Sequence, residues 1–153
     1  MSACWRLDDG RQTLVLGSDR GRLAEVVYWG PSLPESEDLA TLYEAYTLDV
    51  TGGMLDVNPE LSICPEATRS FPGQPGLIIR NGDGTPFLPK FCLERADLGE
   101  NVLILTYMDQ SRVLTYRARF AIDPVTHIIE ASAELEADQP MHLHWLAAPV
   151  FPA

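Results

Sequence analysis

At 153 residues, with 46% hydrophobic and 22% charged side chains, the chain is long enough for one domain with a sizeable core. Its formal net charge is −11, and its 11 Lys and Arg are spread thinly, without a basic patch or stripe. That excludes the electrostatic footprint of a nucleic-acid binder and makes an anionic membrane surface an unfavourable partner.

No apolar run approaches the roughly 20 residues that span a bilayer. The opening MSACWRLDDG lacks the basic and apolar regions of a signal peptide. Cys4, Cys64 and Cys92 are odd in number and far apart, which argues against a disulfide framework and CxxC motifs. Three reduced thiols and a cytoplasmic location are expected.

The first strands are expected at Cys4 to Leu7, Thr13 to Leu16 and Leu23 to Trp29. The third ends in Tyr28-Trp29 and stops at Gly30-Pro31, so paired aromatics beside a turn can meet a sugar or a neighbouring domain. One helix is expected next, capped by Ser36, with Glu37 and Asp38 at its positive end and Leu39, Leu42, Tyr43 and Tyr46 on one face. Thr51 to Gly76 reads as an irregular surface excursion, the kind of loop that often carries function.

Leu77-Ile78-Ile79 leads into the strong turn signal Asn81-Gly82-Asp83-Gly84. Phe87 to Ala96 reads as one strand, and Asn101 to Met108, apolar on both faces, as a central one. Met108-Asp109-Gln110-Ser111 turns it into Val113 to Ile122. There Leu114, Tyr116, Ala118, Phe120 and Ile122 share a face. His127 to Glu136 alternates too, with Ile129, Ala131, Ala133 and Leu135 together. A symmetric turn at Asp123-Pro124-Val125-Thr126 sets Phe120 opposite Ile129, Tyr116 opposite Ala133 and Arg119 opposite Glu130. Met141 to Leu146 is the last strand. Many short strands separated by turn signals define an all-β, antiparallel β-sandwich with one short helix.

No GxSxG, HExxH, Walker or GxGxxG pattern occurs, and no catalytic residue is assigned. Asp8-Asp9 and the group Glu35, Glu37 and Asp38 read as turn and capping residues rather than paired acid/base carboxylates. His142 and His144 share a strand face as a metal pair could, with His127, a carboxylate or a cysteine as a third ligand. Nothing fixes that ligand, so no metal and no cofactor are expected. Trp5, Trp29, Phe71, Phe87 and Trp145 are candidates for a sugar platform, and core or boundary packing is the plainer reading of each. Trp29 and Phe71 stand out because each lies beside Gly or Pro. The last stretch, HWLAAPVFPA, is apolar without a polar tail, which suggests a piece of a longer polypeptide.

Taken together, GRLAEVVYWGPSL, LDVNPELSICPEATRSFPGQPGL and FLPKFCLE, followed by YRARFAI and IIEASAEL, resemble the N-terminal domain of bacterial α-galactosidases of glycoside hydrolase family 36. Tyr28-Trp29-Gly30, Pro65-Glu66 and Gly73-Gln74-Pro75-Gly76-Leu77 carry most of the likeness. The resemblance implies a galactose-mutarotase-like supersandwich domain over residues 1–153. It would stand ahead of a (β/α)8 barrel whose two aspartates hydrolyse terminal α-galactosides with retention. Implied partners are that barrel, an α-galactoside reached only through the parent enzyme, and further copies in a homo-oligomer. Loops of such domains can reach an active-site rim; the matching region is Leu55 to Leu77, where Arg69 is the one cation, and Trp29 and Phe71 complete the weak rim candidates. Asn58-Pro59-Glu60 departs from the family's pattern there. The alternatives are a free-standing carbohydrate-binding sandwich using Trp29 and Phe71, and an interaction module without a ligand.

Overall fold

The computed structural model describes residues 2–47, 61–69, 71, 73–147 and 149–151. Three antiparallel sheets share one core. The first is formed in order by β1 (Ser2–Asp8), β2 (Gln12–Asp19) and β3 (Glu25–Pro31). The second comprises β4 (Leu77–Asn81), β5 (Pro86–Phe87) and β10 (Met141–Leu146), in the order β10-β4-β5. The third, in chain order, holds β6 (Phe91–Leu98), β7 (Val102–Asp109), β8 (Leu114–Ile122) and β9 (Ile129–Ala137). The described residues adopt the expected all-β antiparallel architecture with one short helix.

Alternation builds the core. The five expected residues of β8, from Leu114 to Ile122, are all buried, and Leu103, Leu105 and Tyr107 of β7 join them. Leu7, Leu14, Leu16, Leu77, Ile79 and Phe91 belong to the same apolar cluster. Strand β2 is covered on both faces: Leu14 and Leu16 face that cluster, while Gly17 lies under the helix α1 (Leu39–Thr47). A Cβ on Gly17 would come within 2.6 Å of the Tyr43 ring, so only glycine lets the helix seat this closely.

Four local expectations need correction. The helix is capped by Asp38, not Ser36: its Oδ1 accepts from the N–H of Ala40 at 3.0 Å, and Leu39 is the first helical residue. Glu37 instead closes a turn onto the Pro34 carbonyl. Phe87 to Ala96 is not one strand: β5 and β6 lie in different sheets, and the chain crosses between them at Leu88-Pro89-Lys90, where proline has no N–H for a ladder. The β8–β9 hairpin is shifted by two residues, pairing Phe120 with Ala131, Tyr116 with Leu135 and Arg119 with Ser132. Asp123 accepts from the N–H of Val125, and His127, at φ 58°, bonds back to the Asp123 carbonyl. This lengthens the loop, and pairing begins at Ile122 with Ile129. A shift of two keeps every side chain on its face, and Arg119 still reaches Glu130 at 3.8 Å on the diagonal.

The fourth correction concerns the excursion. Ser62, Ile63, Cys64 and Glu66 are buried rather than on the surface. Backbone bonds fix them: the Ile63 N–H donates to Ala24, the Val150 N–H to Ile63 and the Gly76 N–H to Pro65. Its earlier part, with Leu55 and Asn58-Pro59-Glu60, lies outside the described residues.

Two core tyrosines differ in a testable way. The Tyr107 hydroxyl accepts from the Ala24 N–H at 3.2 Å, whereas the buried Tyr116 hydroxyl has no partner among the described residues. Tyr116→Phe should be neutral or stabilise by up to about 1 kcal/mol, and Tyr107→Phe should destabilise by about 1–2 kcal/mol by leaving the Ala24 N–H unsatisfied. Urea unfolding of both variants checks the order, which a loss in Tyr116→Phe would reverse.

Candidate functional site

The expected aromatic pair diverges. Tyr28 lies opposite Val15 on the helix side of the first sheet, and Trp29 lies opposite Leu14 on the core side, because successive strand residues point to opposite faces. Tyr28 folds back over Gly30, its hydroxyl donating to the Pro31 carbonyl at 2.8 Å. Trp29 stands at the sheet edge and is 58% exposed.

A polar network holds this tryptophan. Its indole N–H donates to Gln12 Oε1 at 3.0 Å, and the Gln12 amide nitrogen donates to the His127 carbonyl of the β8–β9 loop. Asp9 underlies both: its Oδ1 accepts from the N–H groups of Gln12 and Arg11 at 2.9 Å, and its Oδ2 lies 2.8 Å from His127 Nδ1. The Gln12 N–H foremost, with Arg11 and His127, holds the Asp9 carboxyl well below the usual carboxylate range. Gly10, at φ 81°, supplies the left-handed residue that this turn needs. Phe151 packs at 5.5 Å from the Trp29 ring and 6.0 Å from Phe120 in the core.

Asp8 serves the fold as well. Burial opposes its ionisation, yet bonds from Thr13, Arg6, the Gly10 N–H and Ser32 keep its carboxyl below the usual range. Neither aspartate is free for acid/base chemistry.

The second cluster surrounds Glu66. Its side chain is 4% exposed, its Oε1 accepts from the buried Phe91 N–H at 2.8 Å, and its Oε2 pairs with Arg69 at 2.6 Å. Arg69 closes a short 3-10 turn, Ala67–Arg69, so carboxylate and guanidinium meet one turn apart. A cavity of about 20 Å³, room for roughly one water, is lined by Cys64, Glu66, Thr68, Leu88 and Phe91. Half-buried Phe71 lies across Gly73, whose added Cβ would meet its ring at 2.7 Å. No hydrogen bond or ring contact among the described residues joins Trp29 to Arg69 or Phe71.

Other candidates fall to different places. Trp5 and Phe87 pack against the core, and Trp145 is 47% exposed on β10. His142 and His144 are both exposed, but a register shift between Leu143 and Trp145 makes His144 the extra residue. No group of three or more His, Cys, Asp or Glu among the described residues is arranged for a metal. Among them, too, no helix is long and apolar enough to cross a membrane.

Burial, with the Glu66 charge adding, pushes the Cys64 thiol up to about 12. Burial also raises Tyr107 and Tyr116. Acids raised on folding contribute stability that is complete below their unfolded values and is lost as pH rises toward the folded ones. The chain should therefore lose about 1.5–2 kcal/mol between pH 8 and pH 10 through Cys64, with the tyrosines adding above that. Urea midpoints across this range check it, and Cys64→Ala should flatten the first part of the loss.

Comparison with known proteins bears on the fold. No protein-family model and no curated protein matches the sequence. Solved structures do. The chain overlays the α-galactosidase from Lactobacillus brevis with a TM-score of 0.70 at 13% identity, covering 95% of this chain and 23% of that one. GH36 α-galactosidase AgaA from Geobacillus stearothermophilus, in complex with raffinose, gives 0.72 at 13% identity, covering 95% and 24%. AgaB from the same organism gives 0.66 at 14% identity, covering 95% and 23%. The chain thus has the fold of a sandwich region within GH36 α-galactosidases and spans about a quarter of their length.

Proposed function

We propose that this chain is the non-catalytic N-terminal β-sandwich of a cytoplasmic α-galactosidase of glycoside hydrolase family 36. In this reading a catalytic barrel follows in the same polypeptide and hydrolyses terminal α-galactosides with retention through two aspartates of its own. The supporting observation is a fold match over 95% of this chain and only 24% of the α-galactosidase AgaA. The chain's own carboxylates fit a supporting role, since Asp8, Asp9, Asp38 and Glu66 are all engaged in caps, turns or ion pairs. The Glu66 pair likewise favours a structural role for Arg69 over substrate contact, and leaves Trp29 and Phe71 as candidates for contact with the rest of the enzyme. Assembly into a homo-oligomer belongs to the same reading.

The test compares this chain with the chain extended by the sequence encoded after Ala153, using a chromogenic α-galactoside. The chain alone should give no turnover and the extended protein should hydrolyse the substrate. A reading frame that ends at Ala153, or an extended protein without α-galactosidase activity, would sink the reading. Binding of galactosides by the chain alone, abolished in Trp29→Ala, would favour a carbohydrate-binding module instead.

A further inference from the structure

The turn between β4 and β5 holds a reactive sequence in an ordered frame. The chain has three asparagines, and only Asn81 is followed by glycine. The Gly84 N–H donates to the Asn81 carbonyl and the Asn81 N–H to the Thr85 carbonyl, both at 2.9 Å, while Gly84 takes the left-handed place at φ 86°. The Thr85 hydroxyl has one proton and gives it to Asp83 Oδ1 at 2.7 Å. Asn81 must therefore donate to Thr85, and its Nδ2 lies 2.9 Å from that hydroxyl oxygen. The Thr85 hydroxyl foremost, with the Thr85 N–H, holds the Asp83 carboxyl below the usual range. The relay thus runs one way, from the Asn81 amide through Thr85 to a charged Asp83. Gly82 is fixed by space, since a Cβ there would come within 3.1 Å of the Pro140 carbonyl oxygen. It is exposed, and its N–H makes no backbone bond among the described residues.

We propose that Asn81 is a site of spontaneous deamidation, with water as the co-reactant, and that the Asn81–Thr85 hydrogen bond sets its rate. The deprotonated Gly82 nitrogen attacks Asn81 Cγ: that C–N bond forms, the bond from Cγ to Nδ2 breaks, and the amide nitrogen leaves as ammonia. Water then opens the cyclic imide to an aspartate, or to an isoaspartate whose backbone is longer by one methylene. Gly82 has no side chain to hinder the closure. The other asparagines lack this opening: Pro59 follows Asn58 and has no N–H to lose, and the β-branched Val102 follows Asn101. In the folded chain the leaving nitrogen is the one bound to Thr85, so closure onto Gly82 waits for that bond to break. The product reverses the relay, because a carboxylate offers Thr85 no proton and adds charge beside Asp83. Isoaspartate also lengthens β4 where Asn81 pairs with Met141 of β10.

Peptide mapping by mass spectrometry, on the folded chain aged in mildly alkaline buffer, tests this. Deamidation is expected at Asn81 and not at Asn101. Thr85→Ala should speed it at least about threefold, within the range that one side-chain hydrogen bond controls. Thr85→Ser keeps the hydroxyl and should return the parental rate, and slow amide exchange in β7 and β8 shows that both variants are folded. Asn81→Asp, which fixes one product, should cut the exchange protection of its own amide at least about threefold. An Asn81 that stays intact, or an Asn101 that reacts as fast, overturns the site. A Thr85→Ala rate equal to the parental one, a Thr85→Ser rate equal to that of Thr85→Ala, or unchanged protection in Asn81→Asp overturns the control by Thr85.

Discussion

Glu66→Ala should lower the unfolding free energy by about 3 kcal/mol, because it strips both a buried hydrogen bond and the part-buried ion pair with Arg69 at once. Glu66 is almost wholly enclosed, with one oxygen on the Phe91 N–H and the other on Arg69. Phe91 has no exposed surface and opens β6, just after the chain has crossed from one sheet to another. Alanine leaves that N–H without its carboxylate acceptor, at the point where the proline before it has already removed a donor from the ladder. Domains of this size are stable by only about 5–15 kcal/mol, so the loss is a large fraction of the whole. Glu66→Gln should cost less, about 1–2 kcal/mol, since the amide oxygen can still accept from Phe91 while the charge that holds Arg69 is gone. Urea unfolding followed by tryptophan fluorescence separates the two. Equal losses would show that the Phe91 bond contributes nothing and that charge alone decides.

What the sequence made legible follows the range of the forces involved. Period-2 alternation reports burial residue by residue, so the inward face of β8 and the turn at Asn81 to Gly84 were readable, and the Asn81 N–H does bond to the Thr85 carbonyl. Register was not readable to the same depth. Faces repeat every two residues, so pairing Phe120 with Ile129 or with Ala131 satisfies the same pattern, and only the Asp123 turn decides. Helix capping failed for a related reason: Ser36 and Asp38 can both cap, and the geometry after Pro34 selects the later one. The buried run Ser62 to Glu66 has no periodicity; it is held by backbone bonds to Ala24 and Val150, which local pattern cannot show. Trp29 stood out beside Gly30-Pro31 as a ring that could meet a sugar or a neighbouring domain, and it is exposed. Its tether was not foreseen, because Gln12 and His127 are 115 positions apart.

The second large effect is expected at Asp109, where a carboxylate builds the whole β7–β8 turn. Asp109 is 3% exposed and ends β7. Its Oδ1 accepts from the N–H groups of Val113 at 2.9 Å and Leu114 at 2.7 Å, and its Oδ2 from the N–H of Ser111 at 2.8 Å and from the Ser111 hydroxyl. These are charge-assisted bonds to donors that a tight turn would otherwise leave unpaired, one of them on the fully buried Leu114. Asp109→Ala should therefore cost about 3 kcal/mol or more, as expected when a buried network loses its only acceptor. Asp109→Asn retains one accepting oxygen and places an NH2 group against the donors of the other, so an intermediate loss of about 1–2 kcal/mol is expected. Hydrogen exchange gives a sharper readout than the midpoint. In Asp109→Ala, protection should fall first at Ser111, Val113 and Leu114, while Tyr107 and Tyr116, one to two pairs deeper in the ladder, keep theirs until global unfolding. Uniform loss along both strands would mean that the carboxylate stabilises the sandwich as a whole rather than this turn.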